Sequence, residues 1–508
     1  MNRLKSTLLI IILLTFGVIL VRTAWVGDDV YITLRTVDNF VNGYGLNWNV
    51  AERVQSYTHP LWLLFLIPVY AASRDAYFSA LFLSFLFTIA TLLVVARQSN
   101  ALPGLVILLL SKAFMDFSVS GLENPLTHFL LAVFVVQFFM KDDWNDRDIL
   151  YLSLVAALTV LNRMDTALFF APALLYLLFR RFSTQTFGRT TVRIIIGFSP
   201  FILWELFSII YYGFPFPNTA YAKLGSGISH NALVAQGLVY YADSFTRDPI
   251  TLTMLVAGLG LAFWKGTAKE RLVAAGVVLY LLYIINIGGD FMSGRFFSAA
   301  LLVCVLLLMR LLGSAAVQVR TALAVSAALL GFLAPYPTLL VRTNQAAFTD
   351  HDILIGINDE RAFYYGKTGL LPIIETNGFS FVNRGWAEHG VVLRESGRTV
   401  VDEKNVGFTG FFAGPGVFIV DTYALCDPLL ARLPALQQEK WRIGHFERAI
   451  PEGYIQTLKT GENQIKPASL ALYYDKLALI VRGPIWSLDR LGAIWKMNTG
   501  QYNELLEK

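Results

Sequence analysis

Apolar residues fill the first two-thirds of the chain in long runs that stop near Val341, after which polar and apolar residues mix. A helix needs about 20 residues, each rising about 1.5 Å, to cross the hydrocarbon core of a bilayer. The first run, 6–26, has this length, and Arg22 is its only charge. The pattern predicts a polytopic α-helical membrane protein with about eleven spans, at 6–26, 77–96, 101–118, 123–140, 149–161, 165–180, 192–212, 250–264, 272–288, 296–312 and 320–341.

The short apolar segment 60–73 decides the orientation of these spans. If it crossed the membrane, the basic loop 180–193 would lie outside. If it is re-entrant or interfacial, eleven crossings remain and the basic loops lie in the cytoplasm, as the positive-inside rule requires. We therefore predict a cytoplasmic N-terminus and a retained first span, because no signal-peptide cleavage site precedes Asp28. The loops 27–60, 120–124, 163–165, 212–248 and 288–295 then share the outer face.

The mixed segment 342–508 is long enough for a hydrophobic core of its own. Strand and helix signals alternate along it, and Gly414-Pro415-Gly416 predicts a turn into a short buried strand that ends at Asp421. We predict a transmembrane domain over 1–341, followed by an extracytoplasmic soluble α/β or α+β domain over 342–508.

Composition narrows the functional classes. The chain is 55% hydrophobic and 15% charged, with a net charge of +5 that is concentrated in the candidate cytoplasmic loops. Basic runs with interleaved aromatic residues are absent, which argues against a nucleic-acid partner. The two cysteines, Cys304 and Cys426, fall in different predicted domains, and neither they nor the six scattered histidines have the spacing of a metal site.

Two adjacent carboxylates, Asp28 and Asp29, follow the first predicted span. Acids at the edge of a membrane are costly and so indicate function, and two neighbouring like charges raise one pKa, which suits a general base. The alternative is a solvated helix end. Helical spacing of Tyr31, Leu34 and Val37 or Asp38 predicts a short interfacial helix after the acids.

Three other outer-face loops carry unexplained charges. We predict that Arg163 and Asp165 close a tight helical hairpin. Asp290 and Arg295 either pair with each other or leave Arg295 to hold a phosphate, for which a guanidinium is well suited. Lys223 ends a Pro-rich turn and contradicts the charge bias of an outer loop, so its partner is expected to be a lipid head group or a substrate phosphate.

The glycine pair 288–289, in the same loop as Asp290, would let the backbone approach a ligand closely.

An ordered set of motifs extends along most of the chain. It consists of Asp28-Asp29, Gly43-Tyr44-Gly45-Leu46, Glu52-Arg53-Val54 through Tyr57-Thr58, Ser120-Gly121-Leu122-Glu123, Asn162-Arg163-Met164-Asp165, Tyr212-Gly213 through Lys223, Gly288-Gly289-Asp290 with Gly294-Arg295-Phe296-Phe297, 427–434 and 441–445. With these motifs the chain resembles the multi-spanning GT-C-type glycosyltransferases that use lipid-linked sugars, and more closely the bacterial terminal arabinofuranosyltransferases (AftB-like).

The resemblance implies a reaction at the outer membrane surface, a polyprenyl-phosphate sugar donor and an acid of the first outer loop in the transfer step. Asp28 and Asp29 become the candidate catalytic pair, as base or charge stabiliser. Lys223 and Arg295, with Arg163 third, become candidates for the leaving phosphate, and Glu52 and Arg53 for the sugar pocket. The candidate substrate-binding residues are Arg35, Glu52, Arg53, Tyr57, His59, Glu123, Arg163, Asn218, Lys223, Asp290 and Arg295.

We therefore predict a glycosyltransferase of the cytoplasmic membrane that moves a sugar, expected to be arabinofuranose, from a polyprenyl-phosphate donor to a cell-surface glycan or glycoprotein. No cofactor or metal ligand is assigned, and dependence on a divalent cation stays open. The alternative classes are a transporter or flippase for a lipid-linked glycan and a structural assembly factor. A transporter would show internal pseudo-repeats, and none is visible in the sequence.

Overall fold

The computed structural model describes residues 3–180, 184–313, 315–335, 337–340, 350–376, 384–436 and 441–506, so the predicted domain boundary at 341/342 lies outside the described residues. The first 340 residues are helical at every predicted span. Their helices are α1 (Arg3–Thr23), α2 (Asp28–Val41), α3 (Pro60–Ser73), α4 (Ala76–Ala96), α5 (Ala101–Leu110), α6 (Lys112–Ser118), α7 (Asn124–Met140), α8 (Asp146–Asn162), α9 (Ala167–Arg180), α10 (Thr184–Gly197), α11 (Ser199–Tyr211), α12 (Asn218–Leu224), α13 (His230–Arg247), α14 (Pro249–Lys265), α15 (Ala268–Asn286), α16 (Arg295–Leu311) and α17 (Val317–Leu333).

The C-terminal part is also mainly helical and contains one small sheet. Its elements are α18 (Asp350–Ile355), α19 (Glu360–Thr368), α20 (Leu370–Thr376), α21 (Arg384–Glu395), β1 (Val400–Glu403), α22 (Phe408–Ala413), β2 (Phe418–Asp421), α23 (Tyr454–Thr460), α24 (Ala468–Arg482) and α25 (Leu488–Asn498). The strands pair in parallel, with Val400 opposite Phe418, and α22 connects them. The strand predicted to end at Asp421 is confirmed.

The apolar helices are those of a membrane protein. Among the described residues, two helices are long and apolar enough to cross a membrane, Ser6–Thr23 and Ala76–Ala96, and two bent pairs raise this number to four if each pair counts as one span. Most of the remaining apolar helices are shorter than the roughly 20 residues that a straight crossing requires. The prediction of about eleven crossings and of their orientation therefore stays a prediction.

Two segments that were predicted as single spans are each bent between two helices. Segment 101–118 bends by 81° between α5 and α6. At the break Ser111 is extended, and its side chain accepts a hydrogen bond from the Phe114 N–H, which starts a new helix. Segment 192–212 bends by 57° between α10 and α11. Pro200 lies directly after that break. Proline has no N–H, and its ring clashes with the preceding turn, so α10 cannot continue through this position.

The chain forms two compact units. The first comprises 1–27, 80–201 and 230–379. Helix α16 is its centre and is buried from Phe297 to Met309. Small residues allow close helix packing there: a Cβ on Gly258 of α14 would lie 2.8 Å from the Cβ of Cys304.

The second unit comprises 28–79, 202–229 and 380–508. Its larger apolar cluster joins Leu477 and Ile480 of α24 to Ile494 of α25, Val54 and Phe214. The first predicted outer loop therefore packs with the C-terminal segment. Two compact units do not by themselves show which residues lie in a membrane. The predicted division into a membrane domain over 1–341 and a soluble domain over 342–508 therefore stays a prediction.

Candidate active-site residues

Asp28 begins α2 in the second unit, and backbone groups from the start of α22 hold its carboxylate. Oδ2 accepts a hydrogen bond from the Gly407 N–H at 3.0 Å, and Oδ1 accepts one from the Phe408 N–H at 2.8 Å. Position 407 requires glycine, because a Cβ there would lie 1.9 Å from the Asp28 backbone oxygen. Both carboxylate oxygens are thus fixed in one orientation.

The environment of Asp28 suits proton transfer near neutral pH. The pKa of Asp28 is raised from 3.8 to about 7, mainly by burial and also by the charges of Asp29 and Asp421, while the two N–H groups oppose the shift. Burial is thus the main cause, whereas the sequence pointed only to repulsion between Asp28 and Asp29. A carboxylate with a pKa near the working pH is well matched to general-base catalysis.

Two further acids of the same unit lie in buried settings that the sequence did not predict. The Asp421 carboxylate accepts hydrogen bonds from the Tyr423 and Cys426 N–H groups, each at 2.9 Å. Burial raises the pKa of Asp421 to about 6. Burial, then the charge of Glu52, raises the pKa of Asp427 to about 7. The strand ending in Asp421 and the Asp-Pro turn at Asp427 were the available sequence signals.

Across the described residues, no three His, Cys, Asp or Glu side chains group so as to hold a metal ion.

Arg35, a predicted substrate-binding residue, is buried and donates to the protein's own backbone. Its guanidinium donates to the carbonyl oxygens of Trp48 at 2.9 Å, Gly410 at 2.5 Å and Val417 at 2.8 Å. It also lies 4.2 Å from the centre of the Trp48 ring. These contacts give Arg35 the structural role of joining the first loop to the segment around α22.

The other candidates of the first loop also have partners within the second unit. The pairs are Glu52 with the Arg482 guanidinium at 3.3 Å, Arg53 with the Tyr211 carbonyl oxygen at 3.2 Å, Tyr57 with the Tyr212 hydroxyl at 2.7 Å and His59 Nε2 with the Thr33 hydroxyl at 2.8 Å. Glu52 and Arg482 form the one ion pair among these contacts. The structure thus places these four side chains as supports of the loop that begins with Asp28.

Asn218 and Lys223 lie on α12 of the second unit and differ in exposure. The buried Asn218 amide donates to the Ala424 carbonyl at 2.9 Å and the Asp427 carbonyl at 3.0 Å. Lys223 is exposed. Burial, with the charges of Arg442 and Lys223, lowers the pKa of His445 to about 3. The positive charge of Lys223 is thus close enough to act on His445, as a smaller effect than burial.

The remaining candidates meet in the first unit. The fully buried Glu123 carboxylate accepts from Arg163 at 2.7 Å and from Arg295 at 3.0 Å. Arg163 also pairs with Asp165 at 2.6 Å, and Arg295 with Asp290 at 3.5 Å. The hairpin pair and the Asp290–Arg295 pair are confirmed. The sequence did not predict that Glu123 joins them.

The glycine pair beside Asp290 has a packing role. Gly289 has φ +73°, and a Cβ there would lie 2.5 Å from the Cβ of Tyr240. The close approach expected for a ligand is thus made by a tyrosine ring.

A second buried ion cluster of the first unit was also not predicted. Lys112 pairs with Asp116 at 2.5 Å and with Asp359 at 2.9 Å, and Arg361 pairs with Asp116 at 2.5 Å. The available signal was Lys112 and Asp116, four residues apart inside a predicted span. Charged side chains within an apolar run need partners of opposite charge. The bend at Ser111 begins α6, the helix that carries Lys112 and Asp116.

Comparison with known proteins gives two similar chains, while no family model matches. Both are named terminal beta-(1->2)-arabinofuranosyltransferase. The protein from Mycobacterium tuberculosis is 28% identical over 331 residues, which cover 54% of this chain and 51% of that protein. The protein from Corynebacterium glutamicum is 29% identical over 327 residues, 53% of this chain and 46% of that protein. The chain thus spans about half the length of the curated relatives that it matches, and the resemblance predicted from its motifs is confirmed.

Proposed function

We propose that this chain is a membrane glycosyltransferase that transfers a sugar, expected to be arabinofuranose, from a polyprenyl-phosphate donor to a cell-surface glycan or glycoprotein. The similarity to two proteins named as arabinofuranosyltransferases supports the reaction class. The observation that carries the proposal is the Asp28 carboxylate, which two N–H groups orient and whose pKa is about 7.

In the proposed reaction an acceptor hydroxyl oxygen attacks the anomeric carbon of the donor sugar. The bond from that carbon to the phosphate oxygen breaks, and its electron pair leaves with polyprenyl phosphate. The hydroxyl proton passes to the Asp28 carboxylate, which acts as general base. Asp29 adds a second negative charge that stabilises positive charge developing at the sugar ring.

We propose Lys223 as the first candidate for the leaving phosphate. It is exposed, and its charge, like that of Arg442, adds to the effect of burial in lowering the pKa of His445, so the two cations lie near each other. The two guanidinium groups of Arg163 and Arg295 are compensated by three carboxylates, which reduces the charge they offer to an anion. They remain second candidates.

We place the reaction at the outer face of the cytoplasmic membrane, with 342–508 extracytoplasmic. The support is the concentration of basic residues in the loops 180–193 and 265–271, together with the apolar helices of the first 340 residues.

The test uses the purified full chain in detergent with synthetic polyprenyl-phosphoryl arabinofuranose and an arabinofuranosyl oligosaccharide acceptor. Asp28→Asn and Asp29→Asn are expected to lower the transfer rate by about 100-fold or more, the scale of general-base and electrostatic contributions. Asp143→Asn, in the exposed adjacent pair Asp142-Asp143, is the matched control. Full transfer rates in both Asp28→Asn and Asp29→Asn would show that the catalytic assignment is wrong.

The phosphate assignment has a separate test. Lys223→Ala is expected to raise the donor KM about tenfold with little change in kcat, because a charge-assisted contact of roughly 1.5 kcal/mol is lost. Lys459→Ala removes another exposed lysine of the second unit and should leave the donor KM unchanged. Equal donor KM values in the two variants would remove Lys223 from the phosphate site.

A further inference from the structure

A cleft of about 640 Å³ lies within the C-terminal segment of the second unit. Its volume falls inside the range of roughly 300–1,000 Å³ that is typical of ligand sites. The lining combines one indole ring with carboxylate, amide, hydroxyl and basic side chains. Among its residues are Trp386, Asp402, Asn405 and Thr409.

The basic groups of the lining are already engaged by the protein. Lys404 pairs with Glu447 at 2.8 Å, and His389 Nε2 contacts Glu403 at 2.7 Å. The Arg448 guanidinium points inward and donates to backbone carbonyl oxygens, among them those of Leu433 and Ala222, each at 2.6 Å. The cleft therefore presents little positive charge to a ligand, which argues against a phosphate as its occupant.

Two exposed polar side chains of the cleft are available to a ligand. Asp402 and Asn405 make no side-chain hydrogen bond within the part of the chain that the structure describes. A carboxylate accepts hydrogen bonds, and an amide both donates and accepts. Trp386 is half-buried and adds an apolar ring with a polar edge. This combination fits a neutral ligand that has many hydroxyl groups and an apolar C–H face, which is the chemistry of an oligosaccharide.

The segment that forms part of the cleft wall also orients the proposed catalytic acid. Asn405 and Thr409 line the cleft, and between them the Gly407 and Phe408 N–H groups donate to the Asp28 carboxylate. The Thr409 hydroxyl donates to the Trp386 carbonyl oxygen at 3.3 Å. A single short segment thus connects the cleft to Asp28.

We infer that the cleft binds a neutral oligosaccharide portion of the acceptor glycan. This inference rests on the proposed function, because it assigns the cleft to the acceptor of that reaction. Trp386 packs against a sugar ring, and Asp402 and Asn405 bond to its hydroxyl groups. Occupation of the cleft keeps the acceptor chain attached to the segment that orients Asp28.

The experiment measures binding and transfer separately on the full chain in detergent. Isothermal titration with a synthetic linear arabinofuranosyl hexasaccharide gives the Kd, and maltohexaose tests selectivity. Trp386→Ala is expected to raise Kd and the acceptor KM about tenfold or more, the scale for a buried aromatic contact, and Trp386→Phe should restore most of the affinity. Asp402→Asn should raise Kd about threefold or more through one weakened hydrogen bond.

Two controls keep the outcomes distinct. Trp486→Ala removes an indole that is 75% exposed and lies outside the cleft, so its Kd should equal the wild-type value. Asp28→Asn should lose transfer and keep the wild-type Kd. Wild-type Kd and acceptor KM in both Trp386→Ala and Asp402→Asn would overturn the inference and leave the proposed function standing. Hexasaccharide binding that depends on Trp386, without any transfer by the wild-type chain, would instead overturn the proposed function.

Discussion

Titration of Asp28 should control the rate of sugar transfer. A general base acts only when it is ionised, and the pKa of Asp28 is raised to about 7 by burial and by the charges of Asp29 and Asp421. The ionised fraction then rises from about one-tenth at pH 6 to about nine-tenths at pH 8, so kcat should increase about tenfold over this interval. Asp28→Asn should lower kcat and abolish the increase.

The same pKa shift acts on stability with the opposite sign. The folded state holds the Asp28 proton up to a pH of about 7, whereas the unfolded chain releases it near 3.8. Between these values the folded state binds more protons, so this residue's contribution to stability is largest at low pH and falls as the pH rises through 7. Ionisation of Asp28 therefore does not stabilise the fold over the pH range in which it should raise kcat.

The assay is the initial rate of transfer by the purified chain between pH 5.5 and 8.5, with both substrates saturating and the product measured by mass spectrometry. Asp421→Asn is an informative comparison, because the pKa of Asp421 is raised to about 6 and its charge faces Asp28. This change should shift the profile to lower pH without removing it. A flat wild-type profile, or an unchanged profile in Asp28→Asn, would refute the assignment of Asp28 as the base.

Three further predictions concern the groups around the candidate residues. Glu123→Gln should lower the free energy of unfolding by about 3–5 kcal/mol, because two buried guanidinium groups lose their shared carboxylate. Thermal unfolding measures this loss, and Glu388→Gln, at an exposed position, is the control. Arg35→Met should cost about 3 kcal/mol or more through three lost carbonyl contacts, and an unchanged melting temperature would contradict the structural role of Arg35. Gly407→Ala should lower kcat more than it changes either KM, because the added Cβ would collide with Asp28, and wild-type kcat in a folded variant would contradict that contact.

The helices could be predicted from the sequence because their signal is local. Each of the eleven apolar runs contains a helix, and the period of Tyr31, Leu34 and Val37 correctly gave α2. The breaks within 101–118 and 192–212 were missed, although Ser111 and Pro200 were visible. A hydropathy window averages over single residues, whereas a cap or a missing N–H acts at one position.

The candidate residues were harder to predict because their roles depend on distant partners. The Arg163–Asp165 pair is local and was predicted correctly. By contrast, Arg35 donates to carbonyl oxygens as far away as Val417, and Glu123 meets Arg295 across 172 positions. No spacing rule covers such separations, so the sequence could name these residues and could not tell which of them support the loop.

The sequence by itself determined that this chain is an apolar helical protein similar to arabinofuranosyltransferases, and it singled out Asp28-Asp29, because hydropathy and ordered motifs are carried by adjacent residues. Only the tertiary structure decided how Asp28 differs from an ordinary exposed acid. Folding brings the Gly407 and Phe408 N–H groups to its carboxylate and removes water from around it. Burial in the folded unit raises its pKa to about 7, against the opposing effect of two N–H groups that lie about 380 positions away in the chain.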